Sequence, residues 1–506
     1  WRSLTTERCI SLPSCAKRPS PGERLGGPVS VVSADSGRRG KSISAFSRAV
    51  DCSNRDVSRN HYRLMPKRIL IANRSTIARR IVRACNALDV ESVAVYSEAD
   101  AGAPHLKEAT ETVALQGVTA MDTYLNQGAL LDAMQRTGAD ALHPGYGFLA
   151  ENAEFARAVV ATGATFIGPS PDWISSMGDK VSARELMAQH GFPTFEASKD
   201  VTDAHNALSE AARIGYPVML KPVGGGGGIG MRVVRDETEM QLACQQTGAL
   251  AARAFDDARL YLERCVERPR HIEVQVLGDR AGNVVHVYER ECTVQRRHQK
   301  LIEESPAPLD DRGELDALAQ QAAATLSELG YDGVGTVETL RAGSGEYGFL
   351  EMNTRIQVEH GVTEEVTGLD LVTAQIRLAD GKGLPEIPPM HGHAVEARLY
   401  AEDPRTLMAS TGRLTRFRPP EMMGVRVETG YIEGQFVTPF YDPLLAKVIG
   451  RGHTREQAIG RTLVALRGFA VSGVHTNAPL LMRVLEHPDF LAGTLDTEFV
   501  SRLIQT

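Results

Sequence analysis

Polar side chains alternate along the segment YGFLEMNTRIQVE, residues 347–359. Successive side chains of a strand point to opposite faces, so an extended chain would place all of the polar ones on one side. They are Glu351, Asn353, Arg355, Gln357 and Glu359. Two carboxylates, two amides and a guanidinium exceed what the solvated face of an edge strand needs. We therefore predict that this strand carries part of a binding or catalytic site.

A third carboxylate, Glu338, lies in the preceding strand-like segment GTVETL. Turn-forming residues separate the two segments, so they can pair and bring Glu338 beside Glu351. Two carboxylates and the amide oxygen of Asn353 suit Mg²⁺, a hard cation that also accepts phosphate oxygens. Without a metal, close carboxylates repel and one pKa should rise. The alternative is two separate surface acids.

Five consecutive glycines, residues 224–228, follow the strand-like segment VMLKP. Apolar segments lead into and out of the run, which predicts the tip of a hairpin. Glycine lets backbone N–H groups approach phosphate oxygens closely, and Lys221 at the end of the incoming strand could reach the same phosphates. The alternative is a flexible linker, although linkers are usually flanked by polar residues. We predict a phosphate site.

The segment ERECTVQRRHQKLIEE is dense in polar groups. An extended chain would place Arg296, His298 and Lys300 on one side, and Gln295, Arg297 and Gln299 on the other. Either row could hold small anions. A nucleic-acid surface would need interleaved aromatic residues and a basic domain, and the chain has a net charge of −7. Taken alone, the segment is ambiguous.

From residue 65 onward, short apolar strands alternate with helical segments, as in an open doubly wound α/β sheet. The first strand–helix turn, ANRST, lacks the glycine-rich dinucleotide fingerprint. A second region starts near residue 177 with several strand pairs, and a third runs from about residue 385. Thr454 and Gln457 form a capping-box signature for a helix in the third region. We predict domains over 65–176, 177–385 and 386–506.

Residues 1–64 differ from the rest, with 12 Lys or Arg against 5 Asp or Glu and with 12 serines. This composition is typical of an organelle transit peptide. Alternatively, Met65 is the true start and residues 1–64 are translated upstream sequence. Either interpretation predicts disorder. The first would place the protein in a mitochondrion or plastid, the second in the cytoplasm.

Composition narrows the class of protein. A chain of 506 residues with 42% hydrophobic residues predicts two to four globular domains. No uncharged apolar run approaches a membrane span, so no membrane association is predicted. The seven cysteines are irregularly spaced, which favours a reducing compartment and no structural zinc.

The chain resembles the biotin carboxylases, the ATP-grasp component of biotin-dependent carboxylases, from about residue 66 to its end. The resemblance is carried by blocks that include HPGYGFLAEN, MGDKVSAR, PRHIEVQVLGD, QRRHQK, EMNTRIQVEH and EARLYAEDP. It implies an N-terminal doubly wound, Rossmann-like domain, a central ATP-grasp domain with a mobile glycine-rich lid, and a C-terminal α+β domain. It also implies ATP- and bicarbonate-dependent carboxylation of biotin, the first half-reaction of acetyl-CoA carboxylase or a related carboxylase.

The resemblance implies roles for matching residues. Those of the nucleotide site are Lys180, Lys221, Gly227, Gly228, Glu263, Arg264, Val266, His271, Gln295 and His298. Glu338, Glu351 and Asn353 are the implied ligands of Mg²⁺ or Mn²⁺, with two ions expected. The bicarbonate and biotin sites comprise Lys300, Arg355, Gln357, Val358, Glu359 and Arg398. Of these, Glu359 is the implied base and Arg355 the stabiliser of the biotin enolate, and Lys300 completes the catalytic set.

Partners follow from the same resemblance. None of the 14 methionines precedes a lysine, as the target methionine of a biotinyl domain would. We therefore expect a separate biotin carboxyl carrier protein, unless the sequence is truncated. Carboxyltransferase subunits and a homodimer are also expected, and the final carboxyl acceptor stays open.

The sequence departs from the family pattern at three places. ANRGE becomes ANRST at Ser75 and Thr76, the basic residue after the glycines becomes Ile229, and HPVTE becomes HGVTE at Gly361. The loss of charge at Ile229 motivates one alternative function, a catalytically weak ATP-binding regulatory subunit. Another ATP-grasp carboxylate ligase is the second alternative.

Overall fold

The computed structural model describes residues 65–224 and 230–505. The predictions for residues 1–64, and for Gly227, Gly228 and Ile229 of the predicted lid, lie outside these residues. No helix within the described ranges is long and apolar enough to cross a membrane.

The first region is a parallel sheet with helices on both faces. Its elements are β1 (Arg68–Ile71), α1 (Ser75–Ala87), β2 (Glu91–Tyr96), α2 (Pro104–Glu108), β3 (Glu111–Ala114), α3 (Gln127–Thr137), β4 (Ala141–His143), α4 (Ala153–Ala161) and β5 (Thr165–Phe166). The strand order is β3-β2-β1-β4-β5. Leu70 of β1 joins one buried cluster, while Ile69 and Ile71 join another on the opposite face. The predicted doubly wound sheet is confirmed.

A small antiparallel sheet follows, with the order β7-β6-β8. The elements of this part are α5 (Pro171–Gly178), α6 (Lys180–Gln189), α7 (Ala204–Ile214), β6 (Val218–Pro222), β7 (Arg232–Val234), α8 (Glu237–Phe255) and β8 (Leu260–Arg264). Val218 lies opposite Val234, so β6 and β7 pair on either side of the glycine run. This pairing confirms the predicted hairpin.

Residues 270–505 build one large sheet, two two-stranded sheets and the helices that cover them. The elements are β9 (Arg270–Gly278), β10 (Val284–Arg296), β11 (Gln299–Ser305), α9 (Arg312–Leu329), β12 (Gly333–Arg341), β13 (Tyr347–Asn353), α10 (His360–Thr367), α11 (Leu371–Ala379), β14 (His393–Tyr400), β15 (Gly412–Arg413), β16 (Arg416–Arg418), β17 (Val425–Thr429), β18 (Phe436–Val437), β19 (Leu444–Gly452), α12 (Arg455–Gly468), β20 (Ala470–Ser472), α13 (Ala478–Leu485), α14 (Pro488–Leu491) and α15 (Phe499–Gln505). Eight strands form an antiparallel sheet in the order β13-β12-β9-β10-β11-β14-β19-β17.

One face of this eight-stranded sheet is apolar and packs on helices. Val274 and Val276 of β9 share a buried cluster with Leu315 of α9. Further along, Val395 of β14 shares a cluster with Ile459 of α12, whose N-cap Thr454 accepts a hydrogen bond from the Gln457 N–H (3.4 Å) as predicted. Because side chains alternate along each strand, the opposite face is left for the polar residues.

Two expectations about extended chain are wrong. The strand over residues 347–359 ends at Asn353, and the chain turns before α10 begins at His360. Glu151 accepts hydrogen bonds from the Thr354 N–H (3.2 Å) and from Arg355 Nε (2.8 Å), which draws the chain away from β12.

The predicted extended rows over residues 295–300 do not form either. Arg297 and His298 have φ angles of 50° and 64° and make a two-residue turn between β10 and β11. Positive φ at both central residues is the preferred geometry of a tight hairpin. Gln295 consequently lies opposite Lys300 across the hairpin.

Candidate active site

A cavity of about 770 Å³ extends from the polar face of the eight-stranded sheet to the small sheet. Every described residue to which the family resemblance assigns a site role lines it, whereas Arg296 pairs with Glu402 instead. These are Lys180, Lys221, Glu263, Arg264, Val266, His271, Gln295, His298, Lys300, Glu338, Glu351, Asn353, Arg355, Gln357, Val358, Glu359 and Arg398. The fold thus gathers residues that lie as much as 218 positions apart, from Lys180 of α6 to Arg398 of β14, around one space.

Strand register explains how this gathering occurs. Arg290 lies opposite Glu273, Glu273 opposite Glu338, and Glu338 opposite Glu351, so four side chains form a row across β10, β9, β12 and β13. Gln275, Thr336 and Asn353 form the next row on the same face. The predicted approach of Glu338 to Glu351 is therefore confirmed.

The Arg290 guanidinium, which is fully buried, organises this row. It donates to Glu273 Oε1 (2.5 Å), Gln275 Oε1 (2.8 Å) and Gln357 Oε1 (2.7 Å). It also donates to two threonine hydroxyls, at 3.0 and 3.2 Å. A buried guanidinium is stable only when its donors are satisfied, and these contacts fix the amide of Gln357 in one orientation.

Lys300 lies among three carboxylates. Its Nζ atom is 2.5 Å from Glu273 Oε2, 3.0 Å from Glu338 Oε1 and 2.6 Å from Glu359 Oε1. Burial acts to lower the pKa of Lys300, but Glu273, Glu338 and Glu359 together raise it well above its ordinary value. Lys300 is therefore a permanent positive charge that lies between Glu338, an implied metal ligand, and Glu359, the implied base.

Glu359 is held by two cations. Besides Lys300, Arg398 Nη2 donates to Glu359 Oε2 (3.0 Å) and lies 2.5 Å from Glu303 Oε1. Burial favours the protonated acid, yet Lys300 and Arg398 outweigh burial and lower the pKa of Glu359 below its usual range. The side chain is consequently ionised at neutral pH and able to accept a proton.

Arg355 lies at the edge of this cluster. Its Nη2 donates to Asn353 Oδ1 (2.6 Å) and its Nε to Glu151 Oε2 (2.8 Å). Glu151 belongs to the loop before α4, so the first region supplies the carboxylate that orients this guanidinium.

At the other end of the cavity, two lysines pair with carboxylates. Lys180 contacts Glu351, and Lys221 contacts Glu263. Burial acts to lower the pKa of Lys180, but Glu351 raises it. Arg264 lies over the ring of Phe195, 4.6 Å from its centroid. Lys180 and Lys221 could receive the phosphates of a nucleotide. The apolar side chains beside β8, such as Phe195, could receive its ring.

Comparisons with known proteins bear on this site. Family models described as the biotin carboxylase N-terminal domain, the ATP-binding domain of the carbamoyl-phosphate synthase L chain and the biotin carboxylase C-terminal domain match residues 65–174, 179–387 and 396–502. A biotin carboxylase from Halalkalibacterium halodurans is 47% identical over 442 residues, covering 86% of this chain and 98% of that protein. The chain belongs to the biotin carboxylase family.

Two solved structures of the family are similar throughout. The biotin carboxylase domain dimer of Hydrogenobacter thermophilus 2-oxoglutarate carboxylase, in complex with MgADP, ADP and bicarbonate, is 42% identical with a TM-score of 0.85, covering 87% of this chain and 98% of that chain. A biotin carboxylase β-γ-ATP complex from Campylobacter jejuni is 40% identical with a TM-score of 0.85, covering 86% and 99%. The predicted biotin carboxylase architecture is confirmed, while the domain boundaries and residue roles stay predictions.

The residues present fit a divalent cation in this biotin carboxylase family site. Glu338 and Glu351 stand side by side, and the Asn353 amide donates to Glu338 Oε1 (2.8 Å), which places Asn353 Oδ1 nearby. Carboxylate and amide oxygens are the ligands that Mg²⁺ prefers. The expectation of a raised pKa is wrong for Glu338. Burial acts in that direction, but Lys300 and His271 lower the pKa well below its usual value.

Two departures from the family pattern can be located. Ser75 has a φ of 55°, a left-handed conformation that favours the glycine of the family pattern. Ser75 and Thr76 line a separate cavity of about 460 Å³, and Arg398 also lines it. Gly361 is the second residue of α10 and packs on Ile449.

The sequence interpretation missed four charged residues of the site: Glu151, Glu273, Arg290 and Glu303. A signal existed for Glu273, because His271, Glu273 and Gln275 alternate with apolar residues in HIEVQVL. For Arg290 the signal was hidden, since a register shift between His286 and Glu289 interrupts the alternation in β10.

Proposed function

We propose that this chain catalyses the ATP- and Mg²⁺-dependent carboxylation of biotin with bicarbonate. The observation that carries the proposal is the cluster of Lys300, Glu359 and Arg398, which lies in the same cavity as Glu338, Glu351 and Asn353. A base flanked by two cations suits a small anion, and the adjacent oxygen ligands suit a metal-bound triphosphate.

Lys180, Lys221 and the glycine run would bind the phosphates of ATP. The two lysines contact Glu351 and Glu263 in the described structure, and phosphate oxygens would take over these contacts. Glu338, Glu351 and Asn353 would hold Mg²⁺ or Mn²⁺, with two ions expected. The metal, when bound, offsets the phosphate charge that otherwise repels a bicarbonate anion.

Bicarbonate would bind beside Lys300, with its proton toward Glu359. Glu359 accepts that proton, and a carboxyl oxygen attacks the γ-phosphorus of ATP while the bond to the ADP oxygen breaks. The products of this step are carboxyphosphate, ADP and protonated Glu359. An anion that shares Lys300 and Arg398 with Glu359 reduces their hold on the carboxylate, which raises its proton affinity when the substrate is in place.

Carboxyphosphate would then divide into CO₂ and phosphate. The phosphate accepts the N1 proton of biotin, and the resulting ureido nitrogen attacks CO₂ to give carboxybiotin. During this step negative charge develops on the ureido oxygen, and Arg355 or Arg398 can stabilise it. Glu151 and Asn353 orient Arg355 for that contact.

The biotin that is carboxylated is proposed to be attached to a separate biotin carboxyl carrier protein. Carboxyltransferase subunits are the proposed later partners. A homodimer is the proposed assembly, supported by the description of the Hydrogenobacter relative as a dimer.

An assay of ADP release with Mg²⁺-ATP tests the function. We expect turnover that requires bicarbonate and increases with free biotin. The Glu351→Gln variant should lose this turnover, whereas Glu386→Gln, at an exposed position outside the cavity, should retain it. Turnover that ignores bicarbonate would instead indicate another ATP-grasp ligase.

A further inference from the structure

Lys447 of β19 is fully buried and was not singled out from the sequence. It lies opposite Arg398 of β14 on one side and opposite Glu428 of β17 on the other. The three charged residues therefore form a row across three strands, on the same face of the sheet as the candidate active site. The row places an ammonium group behind the cavity, adjacent to the arginine that contacts Glu359.

The contacts of Lys447 include a backbone atom of the site. Its Nζ donates to the Val358 carbonyl oxygen (2.6 Å), lies 2.7 Å from Glu428 Oε2 and 3.7 Å from Glu396 Oε2. Glu428 offsets the cost of burying the ammonium, because Lys447 and Arg426 outweigh the effect of burial and keep the pKa of Glu428 well below its usual value. The hydrogen bond to the Val358 carbonyl connects β19 to the turn that carries residue 358.

Val358 immediately precedes the implied base, in the turn between β13 and α10. The backbone here has no strand partner to fix it, because the β12 ladder ends at Asn353. Two other hydrogen bonds hold the neighbouring backbone. The His360 Nδ1 atom donates to the Gln357 carbonyl (2.6 Å), and the Val362 N–H donates weakly to the Glu359 carbonyl (3.3 Å). A charged hydrogen bond to Val358 is the strongest of these restraints.

Gly361 makes that restraint more important in this chain. The family pattern has proline here, and proline fixes φ in the first turn of a helix, whereas glycine leaves it free. Gly361 also packs on the Lys447 cluster: a Cβ at this position would lie 3.1 Å from Glu396 Oε2 and 3.8 Å from Lys447 Nζ. The start of α10 and the lysine therefore form one packed unit.

We propose that Lys447 is a positioning residue, which holds the Val358 carbonyl and thereby fixes the backbone that presents Glu359 to bicarbonate. This inference rests on the proposed function. It predicts that loss of the ammonium weakens bicarbonate binding while the nucleotide end of the cavity, built on β6, β8 and β13, keeps its affinity.

The test separates the loss of the Lys447 ammonium from the loss of its partner carboxylate. Lys447→Met alone leaves Glu428 buried without its ammonium and risks unfolding, so the informative variant is the double substitution K447M/E428Q. Its control is E428Q alone, which removes the same acid, keeps the Lys447 contact to Val358 and leaves Glu396 Oε2 3.7 Å from the ammonium. The melting temperature of each variant is measured beside its bicarbonate constant. Lys382→Met, at an exposed position, controls for a lysine-to-methionine change.

We expect the Michaelis constant for bicarbonate to rise roughly ten- to a hundredfold in K447M/E428Q, the loss of one charged hydrogen bond. The Michaelis constant for ATP should stay within about twofold. E428Q and K382M should both bind bicarbonate as the wild type does. K447R should recover part of the affinity, because a guanidinium can also donate to the carbonyl.

Calorimetric titration of bicarbonate into the MgADP-loaded protein gives the same comparison without turnover. An unchanged bicarbonate constant in K447M/E428Q overturns the inference. So does a parallel rise of the ATP and bicarbonate constants with a lowered melting temperature, which indicates a general structural role. A wild-type chain that binds bicarbonate but shows no turnover contradicts the proposed function alone, and the titration still decides the role of Lys447.

Discussion

Replacement of Arg290 by methionine tests whether the buried row of charges is held together as the structure indicates. Arg290 is fully buried and donates to five side chains, which include Glu273 and Gln357. Methionine fills most of the volume but leaves Glu273 without its principal partner. Removal of one member of a buried ion pair costs about 3–5 kcal/mol, because the remaining charge is uncompensated.

We expect R290M to lie at the lower end of this range, about 3 kcal/mol, because Lys300 Nζ still lies 2.5 Å from Glu273 Oε2. The double variant R290M/E273Q removes both charges and should be about 1–2 kcal/mol more stable than R290M. Urea unfolding followed by the fluorescence of Trp173, which packs on Tyr331 with ring centroids 5.7 Å apart, measures both differences.

Activity supplies a second measurement. Gln357 loses its Arg290 contact in both variants, so both should lose bicarbonate-dependent turnover even if the double variant regains stability. The reasoning is refuted if R290M unfolds within about 0.5 kcal/mol of the wild type, which is the size of an ordinary surface effect. The single variant E273Q completes the cycle. The reasoning is also refuted if the effects of R290M and E273Q on stability simply add in the double variant, since residues in contact should couple.

Three further predictions follow from the site and its surroundings. Glu359→Gln should abolish bicarbonate-dependent ADP release while MgATP still binds in a calorimetric titration, because the base lies outside the nucleotide end of the cavity. Ile229→Arg restores the basic residue that the family pattern has after the glycines and should lower the Michaelis constant for ATP by roughly two- to tenfold, because a charged hydrogen bond to a phosphate would contribute about 0.5–1.5 kcal/mol; an unchanged constant would contradict a phosphate contact by this residue. Burial acts to raise the pKa of Glu364, but His360 and Arg80 outweigh it and lower the pKa to about 2. The ionised carboxylate therefore stabilises the fold above pH 4.5, and this contribution is lost as the pH falls toward 2. Glu364→Gln should flatten the pH dependence of urea unfolding in that window, and an unaltered acid limb contradicts the assignment.

The sequence was sufficient for the sheet and for most of the cavity because both depend on alternation and on contiguous motifs. The β12 and β13 segments are separated by a short turn, so pairing of Glu338 with Glu351 followed from chain proximity. The glycine run between two apolar segments likewise indicated the β6–β7 hairpin. Local signals of this kind can be read without knowledge of the tertiary fold.

The remaining features depend on contacts between distant parts of the chain. Strand β13 ends at Asn353 because the next N–H, that of Thr354, donates to Glu151, about 200 residues earlier in the chain. No local pattern predicts that contact. Arg297 and His298 both adopt positive φ, although neither residue type favours it. The turn therefore lacks the glycine or asparagine that usually indicates such a turn in a sequence. In both cases tertiary contacts override the local period.

The row of charges explains why the carboxylates of the cavity can all be ionised. A raised pKa or a metal was expected, because carboxylates at adjacent positions cannot both ionise without compensation. Lys300 lies among three of them and Lys180 contacts a fourth, so the protein provides compensating charges of its own. Substrates would therefore enter by exchanging partners with existing charges. Phosphates would take the lysines from Glu351 and Glu263, which frees Glu351 for the metal. Bicarbonate would take Lys300 and Arg398 from Glu359, which strengthens the base only when there is a proton to accept.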